Sequence, residues 1–166
     1  MRKKVKTYLK DTIWVVFFFL VTAIAFSIFQ TRNIDHSVVR QLSAQTLQGE
    51  TFDLEKARKP LLIQFWATWC PVCALELHSV ESIAKDYPVV TVAMNSGEKE
   101  EIEQYMHEHG VLFPVINDID GQLSRSWQVS GVPASFIIGT DNKVRFVEMG
   151  YSTEIGLRLR LWFAGL

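Results

Sequence analysis

Cysteine is almost absent from this chain: 166 residues contain two, Cys70 and Cys73. So few exclude a small domain stapled by several disulfides. Basic charge is also scarce beyond residue 35, where eleven Lys and Arg face sixteen Asp and Glu, a net of −5 within a formal total of −1. That sign leaves no electrostatic basis for binding nucleic acid, which needs a basic face for phosphate. Internal repeats and low-complexity tracts are missing, and the apolar and charged fractions, 48% and 21%, are those of a folded globular protein. The length suits one domain with a short extension better than two domains.

The basic residues that the domain lacks are gathered at the start. Arg2, Lys3, Lys4, Lys6 and Lys10 precede an apolar run from Ile13 to Phe29, interrupted only by Thr22 and Ser27. Seventeen helical residues span about 26 Å, and Thr12 or Gln30 can extend them, which is enough to cross a bilayer. The charge ahead of the run predicts a cytoplasmic N-terminus. We expect a basic cytoplasmic segment at 1–11, a single-pass anchor at 12–30 in contact with membrane lipid, a tether at 31–42 and a domain at 43–166. Everything after the anchor then lies outside the cytoplasm, in the periplasm of a bacterial inner membrane. A signal peptide cut after Ala25 is the rival; the run continues apolar through Phe26, Ile28 and Phe29, favouring an uncleaved anchor. The compartment beyond the membrane is oxidising, so a close thiol pair there tends to a disulfide unless something keeps it reduced.

Along the domain, Ala44 to Leu47 and Glu50 to Asp53 flank Gln48-Gly49 as a hairpin. Leu61 to Trp66, after Pro60, reads as a buried central strand with Gln64 its one polar member. Ala74 to Tyr87 predicts a helix of about 14 to 17 residues, stopped by Pro88. Val89 to Met94 is a second buried strand, and Glu98 to His109 a helix ended by Gly110. A short strand near Val115, a brief helix to Trp127, strands at 134–138 and 144–149, and a last helix carrying Ile155, Leu159 and Trp162 at helical spacing complete the order. Two parallel strands joined by a helix, then an antiparallel hairpin, make an α/β domain with a mixed central sheet flanked by helices.

The two cysteines lie between the first buried strand and the helix that follows, within FWATWCPVCALE. A cysteine at the first turn of a helix meets unpaired backbone N–H groups and the positive end of the macrodipole, both of which favour thiolate. Cys70 holds that position. Cys73, one turn on, shares a stripe with Leu77, Val80, Ala84 and Tyr87 and faces the core. An exposed, polarised Cys70 is therefore the expected nucleophile, and a shielded Cys73 the thiol that resolves the mixed disulfide. Glu76 lies on the same face, where desolvation raises a carboxyl toward neutrality and brings it within proton-exchange reach of Cys73; an ordinary solvated helix Glu is the alternative. Trp69, beside the attacking sulfur, is expected to shape the docking surface together with Pro71 and Val72, and Trp66 to pack in the core.

Other readings compete. A structural disulfide would close too short a loop to remove much chain entropy. Zinc needs two further ligands, and His107 and His109, two apart on a helix, point to different faces. No metal and no cofactor other than a redox-active Cys70–Cys73 disulfide is expected. His109 reads as packed, His107 and His78 as solvated.

FWATWCPVC, the Val132-Pro133 step ahead of a strand, and the preceding anchor resemble the membrane-tethered, extracytoplasmic branch of the thioredoxin-like family. That branch includes TlpA-type proteins, the thiol reductases of cytochrome c maturation and the D protein of the suppressor-of-copper-sensitivity system. The similarity covers roughly residues 40–166 and extends to the N-terminal hairpin and to a Glu three residues after the second cysteine. It implies a thioredoxin-like fold and a cis Val132-Pro133 peptide whose Val132 backbone pairs with substrate. The departures are Gln64 where cytoplasmic thioredoxins carry a buried Asp, Pro71 directly after the first cysteine, and His78 in place of a helix-kinking Pro, so no kink is expected. The resemblance further implies a thiol:disulfide oxidoreductase that reduces disulfides of extracytoplasmic proteins and is recharged by a membrane electron donor. An oxidase or isomerase using the same site, and a copper-binding or client-binding module without turnover, stay open on the sequence.

Overall fold

The computed structural model describes residues 42–166 together with Trp14, Phe18 and Thr22. The expected basic segment, the anchor apart from those three residues, and nearly all of the tether lie outside the described residues. Among the described residues no helix is long and apolar enough to cross a membrane. Residues 35–166 form a compact unit of their own.

That unit opens with a hairpin, β1 (Ser43–Gln45) against β2 (Thr51–Asp53), whose turn is closed by the Gly49 N–H donating to the Thr46 carbonyl at 2.9 Å. The hairpin is tied to the rest of the domain by Leu47 N–H on the Val115 carbonyl, at 2.7 Å, and by the Lys99 ammonium on the Leu47 carbonyl, at 2.8 Å. Beyond it lie β3 (Leu61–Trp66), β4 (Val89–Met94), β5 (Val115–Asp118), β6 (Ala134–Ile138) and β7 (Val144–Met149), in the sheet order β5-β4-β3-β6-β7. β3 pairs with β4 in parallel, as does β4 with β5; β6 runs antiparallel to both β3 and β7. The central strand is buried along its whole length, as its apolar run requires. This is the expected mixed sheet.

Five helices accompany the sheet: α1 (Pro71–Ala74), α2 (Leu77–Ala84), α3 (Lys99–His109), α4 (Gln122–Ser126) and α5 (Glu154–Ala164). Strand alternation divides β3 between two layers. Leu62 and Trp66 join Leu77, Val80, Ile102, Leu157 and Leu161 in the main core. From the other face, Phe65 and Phe136 meet Trp127, with ring centroids 5.2 to 5.9 Å apart. Gly110, in the left-handed conformation, ends α3 where the pattern places it.

One expectation fails. The single helix from Ala74 onward, without a kink, is broken at Leu75 and Glu76. There the backbone tightens to i→i−3 bonds, Leu75 N–H on the Val72 carbonyl and Glu76 N–H on the Cys73 carbonyl. No proline stands at the break; Glu76 there turns its carboxylate inward onto Gln64 and Ser152. In α5, Ile155, Leu159 and Trp162 are exposed, while Leu157, Leu161 and Ala164 face the core. The helix is apolar on both sides, so periodicity could not tell which side packs.

Candidate active site

Cys70 and Cys73 are joined by a disulfide, their Cα atoms 5.3 Å apart. Cys70 is the N-cap of α1, with Pro71 at the first helical position, and its Sγ accepts the Cys73 N–H at 3.1 Å. The first sulfur therefore sits among amide donors as its place in the sequence predicts, an environment that stabilises a thiolate once the pair is reduced. Its exposure is less than expected. Cys70 is 5% exposed against 1% for Cys73, because in the disulfide its Sγ turns toward Cys73 and lies 3.6 Å from the Val132 carbonyl oxygen.

The loop before Cys70 is pinned to the end of β4. Thr68 N–H donates to the Ser96 hydroxyl at 3.1 Å, and the Trp69 indole N–H to the Asn95 carbonyl at 3.0 Å. Trp69 is thereby held while 57% exposed, an immobilised apolar plate beside the disulfide. Pro71 and Val72 are exposed with it, and so is Leu75, which the sequence reading passed over. Trp66 is in the core, its indole donating to the Thr91 hydroxyl at 3.1 Å. Val132-Pro133 is a cis peptide, as the resemblance implied; Lys59-Pro60 is cis as well. Val132 is half-buried and Pro133 buried, so on this loop the Val132 backbone, not the proline ring, is placed beside the sulfur.

Behind the disulfide lies a buried polar chain. Glu76 is 1% exposed. One carboxylate oxygen accepts the Ser152 backbone N–H, the other accepts from the Gln64 side-chain amide at 2.9 Å. The Gln64 carbonyl oxygen in turn accepts from the Ser135 hydroxyl at 2.6 Å, directly across the β3–β6 register. Burial pushes the Glu76 carboxyl up to about 7, against the opposing pull of the Ser152 and Gln64 donors. Glu76 and Cys73 line one small cavity of about 10 Å³ with Gln64, Thr91 and Phe113, the order of size that admits a single water molecule. The same segment grips the Val132-Pro133 loop, because Gly150 N–H donates to the Pro133 carbonyl at 2.8 Å. Gly150 has φ +90°, which a glycine adopts without strain.

Gln64, Ser135 and Ser152 are the residues that sequence reasoning missed. Gln64 does not titrate, and its part is to donate. The signal was a lone polar residue in each of two buried strands, Gln64 in LLIQFW and Ser135 in ASFII. Among the described residues the histidines stand apart from this chemistry. His109 stacks on Tyr105 and its Nδ1 lies 2.8 Å from the Tyr105 carbonyl, while His107 and His78 are exposed.

A family model described as AhpC/TSA matches residues 37–147. A thioredoxin-like protein of Haemophilus influenzae is 32% identical over 164 residues, covering 97% of each chain. The thiol-disulfide oxidoreductase ResA of Bacillus subtilis is 28% identical over 165 residues, covering 93% of this chain and 90% of ResA. Among solved structures, a secreted Mycobacterium tuberculosis disulfide oxidoreductase superposes with a TM-score of 0.64 at 26% identity, over 74% of this chain and 96% of that one. The paired sulfurs at a helix N-cap, the cis Val132-Pro133 loop beside them and these likenesses agree: the chain is a thioredoxin-like member of the AhpC/TSA family.

Proposed function

We propose that this chain is a membrane-tethered reductase of disulfides in extracytoplasmic proteins, with Cys70 attacking and Cys73 resolving. That it is a thiol:disulfide oxidoreductase follows from its family and its paired cysteines. The observation that carries the division of roles is the N-cap position of Cys70, 3.6 Å from the Val132 carbonyl, with Cys73 buried behind it.

In the reducing direction the Cys70 thiolate attacks one sulfur of a client disulfide. A mixed disulfide forms, and the other client sulfur leaves as a thiolate that takes up a proton. Cys73 then gives its proton to the Glu76 carboxylate across their shared cavity and attacks Cys70 Sγ. The second client thiol departs with that proton, and the Cys70–Cys73 disulfide described above is the product. A dithiol donor in the membrane returns two electrons and two protons to the pair. Trp69, Pro71 and Val72 supply the apolar contact for the client chain, and the Val132 backbone its hydrogen-bonding edge.

The reducing direction rests on the resemblance to tethered reductases, and the anchor on the basic segment and apolar run before residue 30. Equilibration of the pair with glutathione tests the direction. A potential near the thioredoxin value of about −270 mV supports a reductase, and one near about −120 mV an oxidase. Loss of insulin-disulfide reduction in Cys70→Ser tests turnover; reduction retained in that variant would overturn the assignment.

A further inference from the structure

The end of the domain opposite the disulfide carries a second surface. β3 runs from Leu61 to Trp66 toward Cys70, so the strand's start marks the far pole. Three segments meet there. The Pro60 ring lies against Gly165, just past the end of α5. The turn between β6 and β7 joins them through Thr140 N–H on the Ala164 carbonyl, at 3.3 Å. The chain enters at the same pole: Leu54 N–H donates to the Leu42 carbonyl at 2.9 Å, and the Lys59 ammonium reaches the Leu54 carbonyl at 2.8 Å.

Two properties coincide at this pole. Trp162, Phe163 and Leu166 are 54%, 57% and 82% exposed at the end of an α5 stripe that begins with Ile155 and Leu159, whereas the opposite side of the helix is fully packed. Lys56, Arg58, Lys59, Lys143 and Arg145 lie in the two adjoining loops and strand start, half of the ten basic residues in a domain, 43–166, of net charge −6. Asp53 and Asp141 offset two of them through ion pairs with Lys56 and Arg145 at 3.1 Å, and the exposed Glu55 lies in the same loop, so five bases against three acids leave the patch at +2 inside an acidic domain.

We propose that this pole is a docking surface for an anionic phospholipid bilayer, with Trp162, Phe163 and Leu166 entering the interface and the basic loops contacting headgroups. The proposal rests on the tethered reading for its occupant. Residues 31–41 reach at most about 40 Å even when fully extended, so a bilayer holding the preceding apolar run keeps the pole at which Leu42 enters within range. Tryptophan and phenylalanine beside Lys and Arg are the side chains suited to that boundary, and the positive patch complements an anionic leaflet. Docking in this way turns Cys70 away from the lipid and toward clients in solution.

The full chain in lipid nanodiscs with brominated acyl chains provides the test. The emission of Trp162 is read as the difference between the wild type and Trp162→Tyr. We expect at least twofold quenching of that difference in phosphatidylglycerol discs and little in phosphatidylcholine discs. The triple variant Lys56→Gln, Arg58→Gln, Lys143→Gln lowers partitioning by about a hundredfold, roughly fivefold per charge, with client reduction unchanged. Equal emission with and without bromine overturns the proposal, as does equal quenching in the two lipids. A Trp162 signal in detergent that changes with protein concentration alone also overturns it, by identifying a second copy as the occupant. Retention on vesicles at about 1 M salt, where headgroup attraction is screened, reports the anchor separately. Loss of retention with Trp162 still quenched at low salt supports the docking face without the anchor.

Discussion

The side-chain amide of Gln64 donates to the carboxylate of Glu76 at 2.9 Å, with both residues buried. The contact joins the central strand to the break between α1 and α2, and holds a titrating acid on the cavity it shares with Cys73. A carboxyl brought to about 7 is half-ionised near neutral pH, where it can both take and return a proton.

Glu76→Gln is expected to slow resolution of the mixed disulfide about a hundredfold at pH 7 while leaving the attack by Cys70 nearly intact. Rapid-quench trapping of the mixed disulfide measures the two steps separately. In the wild type the resolving rate rises with pH through about 7 as Glu76 becomes able to accept a proton, and in the variant that inflection is lost. Equal rates for both steps in the two proteins would reject the role.

Stability should carry the same group with a definite sign. The folded-state value of Glu76, about 7, lies above its ordinary 4.5, so the folded state favours the protonated form. Its contribution is complete below about 4.5 and is lost as pH rises through about 7, an effect on the order of 2 kcal/mol. Urea denaturation of the oxidised protein at pH 4.5 and pH 8 checks this, and Glu76→Gln should flatten the difference.

Ser135→Ala removes the hydroxyl that holds the Gln64 amide with its NH₂ toward Glu76. Weaker donation to the carboxylate moves the inflection in the resolving rate upward, by up to about one pH unit. In a Glu76→Gln background the same substitution should leave the pH profile unchanged. A shift of equal size in both backgrounds would show that Ser135 acts elsewhere.

Trp69→Ala should lower kcat/KM for a protein disulfide about tenfold, since an exposed, immobilised aromatic beside the reacting sulfur is the type of contact that carries binding energy. Reduction of a small aromatic disulfide should change little. Parallel steady-state assays with the two substrates make the comparison, and an equal loss on both would move Trp69 from docking to chemistry.

Much of this was legible in the chain because short-range constraints carry it. The runs Leu61–Trp66, Val89–Met94 and Ala134–Ile138 are apolar at every position but one, bounded by proline or glycine, and became strands at those residues. Cys70 ahead of Pro71 announces an N-cap, and the spacing of three places Cys73 on the inward face of the same turn. The last helix was harder to read. Six large apolar residues surround α5, so its core-facing stripe depends on what it meets, and packing selected Leu157 and Leu161 over Leu159 and Trp162.

By itself, then, the sequence determined the order of elements and the redox pair, because those properties reside in patterns a few residues long. The environment of Glu76 was decided only by the tertiary structure. Ser152 and Ser135 are separated from it by 76 and 59 residues, and only the sheet register and the turn at Gly150 bring Ser152 onto the carboxylate and Ser135 onto Gln64. Helical spacing put Glu76 on the inward face, and those contacts supply what the spacing does not: the amide donors on its carboxylate and the orientation of Gln64 that makes it one of them.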